Sequence, residues 1–246
     1  MIINEIAVEK MEKLIRNRID KRIPVQFIME HIIPEFYVAG NCLNKDKPND
    51  IDIFPVHDIV IDVCEGKFLF KEKDFVELKV VSKTRNATTA IAHFPDGKKY
   101  TLQFCNYFHP SLQELVESFD FSHVQVGAKI SFDMPTGECS SGYPVYFSDA
   151  YVESKLLQST KYTGSQYPLS SLIRIIKYIN RGDFSGKSYI HSVFSIINEV
   201  AKRGFKDYDD FKDQLDAVDL GMLPEDFKDV EGSDIINLFH TLKHVK

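Results

Sequence analysis

Phe36-Tyr37-Val38-Ala39-Gly40-Asn41 and, after a polar loop, Asn49-Asp50-Ile51-Asp52-Ile53-Phe54 are the two segments on which the reading of this chain turns. An apolar strand ends in Gly, and ten residues after that glycine two carboxylates alternate with isoleucines. Successive strand side chains point to opposite faces, so Asp50 and Asp52 share one face while Ile51 and Ile53 anchor the other in a core. Adjacent carboxylates repel each other, and a divalent cation between them relieves the repulsion. Mg²⁺ takes few protein ligands and fills its shell with water and phosphate oxygens. The pair therefore points to phosphoryl-transfer chemistry.

Working outward, the next signals come from periodicity. Ile6, Met11, Leu14, Ile15 and Ile19 follow helical spacing, which predicts a helix over 4–18, and a short one follows from Pro24 to Glu30. The β-branched and aromatic content rises in Asp74 to Val81, Ala87 to Phe94 and Lys98 to Phe104, with Pro95-Asp96-Gly97 as a hairpin turn between the last two. Ser111-Leu112-Gln113-Glu114 has capping-box form and predicts a short helix to about Ser118. That helix leads into a strand expected to start at Asp120 and run to Val126, and a meander is expected from Lys129 to Tyr151. Beyond residue 153 the pattern turns helical. Leu169, Leu172, Ile173, Ile176 and Ile179 predict an apolar stripe, and further helices are expected over Ser188–Lys202, Tyr208–Val218 and Asp234–His244. The fold class expected is α+β, a mixed β-sheet half over 1–152 followed by a helical half over 153–246.

Composition sets the outer bounds. The 246 residues, 43% hydrophobic and 27% charged, suffice for a real core in one large or two moderate domains. No run approaches the length of a membrane span, and Met1 to Asp20 is too charged for a secretory signal, so a cytoplasmic protein is expected. Cys42, Cys64, Cys105 and Cys139 form no Cys-x-x-Cys pair, which removes the usual zinc and disulfide readings. A net charge of −6 argues against bulk electrostatic affinity for nucleic acid. Walker-type loops, Gly-x-Gly-x-x-Gly and Gly-x-Ser-x-Gly are missing as well.

The Gly40-Asn41 turn, the Asp50-x-Asp52 pair and Glu117-Ser118-Phe119-Asp120-Phe121-Ser122 together resemble the DNA polymerase beta-like nucleotidyltransferase superfamily. Arg85-Asn86-Ala87-Thr88-Thr89 and Ser171-Leu172-Ile173-Arg174-Ile175-Ile176-Lys177-Tyr178 extend the likeness to uncharacterised, often phage-encoded, nucleotidyltransferase-like proteins. The resemblance spans roughly residues 30 to 182. It implies a two-metal mechanism with Asp50, Asp52 and Asp120 as catalytic carboxylates that bind Mg²⁺ or Mn²⁺, and Gly40 and Asn41 against the phosphates of an NTP. Arg174 and Lys177, expected on a helix face opposite the apolar stripe, would be its cationic partners. Asn41 departs from the family, where Ser or Gly is usual. The acceptor, whether RNA, protein or nucleotide, stays open, as does oligomeric state. A second reading keeps the same fold as a catalytically weak nucleotide-binding or antitoxin-like module.

Overall fold

The computed structural model describes residues 5–45, 48–70, 74–84, 86–131 and 143–216. The chain divides into two compact units, 1–155 and 156–246. The first is α+β, and the described part of the second is helical.

The first unit is built on an eight-stranded mixed sheet: β1 Phe36–Ala39, β2 Ile51–Pro55, β3 Gly66–Phe70, β4 Asp74–Lys83, β5 Ala87–His93, β6 Lys99–Cys105, β7 Val126–Ile130 and β8 Val145–Phe147. Its strand order is β3-β4-β5-β6-β2-β1-β7-β8. Every pairing is antiparallel except β2 with β6, which run parallel with Ile51 opposite Leu102 and Asp52 opposite Gln103. The outer strands β3 to β6 form a meander. Its last turn is closed by Gly97 at φ +81° and by the amide of Phe94 donating to the carbonyl of Lys98 at 2.9 Å.

The strand alternation sorts side chains between the two faces. Phe36 and Val38 of β1, Ile51 and Ile53 of β2, Leu102 and Phe104 of β6, and Ala90 and Ala92 of β5 join one core with Ile15, Ile19 and Phe27. The last three come from helices α1 (Glu5–Arg22) and α2 (Val25–His31), which cover that face. Each fully buried Ile or Phe there contributes about 1.5–3 kcal/mol. The opposite face carries a smaller cluster of Tyr37, Ala39, Phe54, Cys105 and Leu115 beneath helix α3 (Leu112–Glu117). α3 starts as the sequence predicts: the Ser111 hydroxyl accepts the Glu114 amide at 3.1 Å. It lies close to the sheet because Gly127 of β7 has no side chain. A Cβ there would sit 2.8 Å from Leu112 Cδ1 and 2.9 Å from Val116 Cγ2.

Two expectations about the strands need correction. Asp120 does not begin a strand: it lies in a bend, Ser122–Val124 form a 3-10 turn, and the strand starts at Val126. Of the stretch expected as a meander, residues 132–142 lie outside the described residues; β8 ends at Phe147, and Tyr151 belongs to helix α4 (Asp149–Leu157), where the Ser148 hydroxyl accepts the Tyr151 amide at 3.1 Å. Strand β3 has no counterpart among the expected elements, because an edge strand buries too little to alternate clearly.

The second unit contains α5 (Pro168–Asn180), α6 (Tyr189–Arg203) and α7 (Tyr208–Asp216). The apolar stripe expected on α5 is rotated. Ser170, Ser171, Ile175 and Tyr178 are buried, whereas Ile176 is 48% exposed. Small serines let α7 come close, with the Ser170 hydroxyl bonded to the Gln214 carbonyl and the Leu169 amide donating to Gln214 Oε1 at 3.3 Å. The helix expected over Asp234–His244 lies outside the described residues.

Gly127→Ala tests the close seat of α3. Its methyl overlaps two side chains, one of them a stiff Val, so a loss of about 1–3 kcal/mol is expected in urea denaturation. A variant as stable as the wild type would show that α3 shifts freely.

Candidate functional site

Gly40 ends β1 with φ +86°, a left-handed conformation that favours glycine, and turns the chain into the 3-10 segment Gly40–Leu43. A Cβ on Gly40 would lie 3.5 Å from Asp52 Oδ2 and 3.9 Å from Phe119 Cζ. The glycine turn, the second carboxylate of the pair and the residue before Asp120 therefore meet at one place. Asp52 is half-buried on β2 and faces away from Ile51 and Ile53, as the alternation requires. Asp50 precedes β2 rather than lying within it, and is also half-buried.

Two thiols report on the pair. Burial pushes Cys42 far above the ordinary thiol range, and the negative charges of Asp52 and Asp50 push it further. Cys105 behaves alike: burial comes first, followed by the same two carboxylates. Both carboxylates thus act on both sulfurs. The thiols stay protonated and are poor nucleophiles. At the far end of β1, Lys129 Nζ lies 2.6 Å from Glu35 and holds that carboxyl below its usual range.

Two amides hold the turns of this region. Gln125, buried, donates to the Phe119 carbonyl at 2.8 Å, and its own Oε1 accepts the Ser148 hydroxyl at 2.6 Å. Asn44, just after the Gly40 turn, donates to the His123 carbonyl and accepts the Tyr151 hydroxyl at 2.8 Å. From α1, Arg18 donates to the Leu43 carbonyl and Arg22 to the Lys45 carbonyl, both at 2.7 Å. The loop leading to Asp50 is thereby tied to α1 at its start. Sequence reasoning missed Asn44 and Gln125, since a lone amide in a loop carries no periodic signal.

Asp120 is 3% exposed, one residue beyond the Phe119 ring that faces Gly40. Asn41 Oδ1 is buried without a hydrogen-bond partner among the described residues, a cost of about 1–3 kcal/mol that a ligand can offset. Turning the amide over presents its NH₂ at the same place. Among the described residues no group of three or more His, Cys, Asp and Glu side chains is arranged to hold a metal ion. As a donor set, Asp50 and Asp52 fit one hard divalent cation whose remaining ligands are water and phosphate oxygens.

Arg174 and Lys177 belong to α5 in the second unit, and both are half-buried. By the helical period Arg174 falls between Ser170 and Tyr178, inside the buried arc, and Lys177 lies at its margin rather than opposite the apolar residues.

No family model matches the chain, and none of the curated proteins matches it. Among solved structures it is similar to a CCA-adding enzyme in complex with CTP, with TM-score 0.44 and 16% identity over 83% of this chain and 48% of that one. It is also similar to a tRNA-processing enzyme in an apo form, with TM-score 0.42 and 13% identity over 87% of this chain and 50% of that one. The chain spans about half the length of these two proteins.

Gly40→Ala should cost about 1–2 kcal/mol through its φ alone, because the added methyl meets Asp52 only at ordinary contact distance. Gly97→Ala, with φ +81° and open space around it, is the control and should lose a similar amount in denaturant melts. A much larger loss at Gly40 would mean that the Asp52 side chain resists the methyl.

Proposed function

We propose that the chain is a nucleotidyltransferase that transfers a nucleoside monophosphate from an NTP to a hydroxyl acceptor and releases pyrophosphate. The observation that carries this reading is the approach of the Gly40 turn to Asp52, within 3.5 Å of where a Cβ would be. A backbone left bare beside a carboxylate pair leaves room for a triphosphate that shares a cation with those carboxylates.

In this reading Asp50 and Asp52 hold Mg²⁺ or Mn²⁺, with Asp120 as the third carboxylate. Bound there, the metal would supply neutralisation of phosphate charge and a lowered pKa for the acceptor hydroxyl. Gly40 and Asn41 receive the β- and γ-phosphates. The acceptor oxygen attacks the α-phosphorus, the bond to the bridging oxygen breaks, and the hydroxyl proton passes to Asp120 or to water. Arg174 and Lys177 add charge-assisted bonds to the phosphates. The protein's share is positioning and charge neutralisation, not covalent chemistry. Asn41 favours a second reading, a module on the same fold that binds nucleotide and turns it over slowly.

Incubation with α-labelled NTPs, Mg²⁺ or Mn²⁺ and a cell extract should label one class of macromolecule, and chelation should abolish the labelling. Asp50→Asn and Asp52→Asn should each remove transfer while the fold persists, since losing one charge relieves the repulsion. Undiminished transfer by the double Asn variant overturns the reading. In titration calorimetry with a non-hydrolysable NTP and Mg²⁺, Arg174→Ala and Lys177→Ala should each weaken binding by about 1.5–3 kcal/mol. Unchanged affinity in both removes α5 from the site.

A further inference from the structure

The sheet face that carries Asp52 continues outward across β6, β5, β4 and β3. One cross-strand row runs from Asp52 through Gln103 and Thr89 to Ser82. The next runs Thr101, Ile91, Lys79, and the one after it Lys99, His93, Glu77, Lys67. Lys67, Lys79 and Lys99 are exposed, and among the described residues none of them makes an ion pair. Three ammonium groups therefore stand against two carboxylates, Glu77 within the rows and Glu65 at the β3 edge, whose Oε1 accepts the Val80 amide at 2.8 Å. Beside them Phe75 is 57% exposed and Leu69 53%. Lys67, Phe75, Glu77 and His93 line a depression of about 240 Å³ with Phe94 and Pro95. That is smaller than the roughly 300–1,000 Å³ of a small-molecule pocket.

The overall charge of −6 does not describe this surface. Residues 207–246 hold 11 of the 36 acidic residues and 4 of the 30 Lys and Arg, so residues 1–206 carry a net charge of +1. Lysines around an exposed aromatic ring suit a phosphate backbone with a stacked base, whereas protein interfaces are depleted in Lys. From strand spacing and rise, the lysines and Phe75 lie roughly 15 to 25 Å from Asp52. That distance is spanned by a few nucleotides.

We propose that this face is the acceptor platform and that the acceptor is a single-stranded nucleic acid. Its phosphates lie on Lys67, Lys79 and Lys99, a base stacks on Phe75, and its terminal hydroxyl is directed along the Gln103–Thr89 row to Asp52. The role given to Asp52 rests on the nucleotidyltransferase reading, whereas the binding of the strand does not.

Fluorescence anisotropy of the full chain with a labelled single-stranded RNA of about 12 nucleotides, and with DNA of the same sequence, tests this at about 50 mM salt and above. Binding should weaken with salt. The triple variant Lys67→Ala, Lys79→Ala, Lys99→Ala should lower affinity at least about tenfold and reduce the salt slope by about 2. Phe75→Ala should lower affinity about fivefold or more and leave the slope unchanged. Asp52→Asn should keep oligonucleotide binding within about twofold, and all platform variants should keep wild-type thermal stabilisation by NTP and Mg²⁺. Preference for RNA or for DNA supports the platform equally and identifies the acceptor. Absent binding, or binding indifferent to these substitutions, overturns the proposal while the NTP arm stands. Strand binding without stabilisation by NTP overturns the acceptor role and the nucleotidyltransferase reading together.

Discussion

Burying Ile51 and Ile53 is the constraint from which the rest follows. The two side chains are 2% and 0% exposed, and with a strand period of two they commit Asp52 to the other face of β2. A slip of one residue would drive carboxylates into an apolar core, where an unpaired charge costs several kcal/mol. The core therefore fixes the register, and the register fixes the carboxylate opposite the bare backbone of Gly40. The chemistry of one face is set by the packing of the other.

Around this pair, polar ties do what packing cannot. The turns after Gly40 and around Asp120 have little regular structure, yet their carbonyls are claimed by Asn44, Gln125, Arg18 and Arg22. Ser148 and Tyr151 at the start of α4 hold those two amides in turn. Such networks rigidify a site only when every member is satisfied. Asn41 Oδ1 is a buried acceptor in this region without a hydrogen-bond partner among the described residues.

Much of this was legible in the sequence where a local rule governs. The hairpin at Gly97, the cap at Ser111, the helices α1 and α2 and the strand alternation at Asp52 follow from turn chemistry, capping and period. Phe119-Asp120-Phe121 alternates like a strand, so the sequence pattern alone puts Asp120 in one. There the Gln125 amide claims the Phe119 carbonyl and a bend results. The largest residues of α5 mark one stripe, but the buried side is chosen by serines that admit α7, a tertiary fact with no signature in hydrophobicity. The open face of β3 to β6 stayed hidden because exposed lysines look alike until strand register lines them up.

The parallel pairing of β2 with β6 also carries a loop-closure cost. β3 to β6 pair with near neighbours in the chain, whereas β2 must find β6 some fifty residues away and β1 must find β7 some ninety away. Loop closure has to be met before such distant contacts reward it, so local pairings form first. Loop-closure entropy thus favours the meander as the template onto whose edge β1 and β2 dock. The carboxylate pair then faces the bare turn only in the nearly complete fold, and partly folded chains lack that juxtaposition.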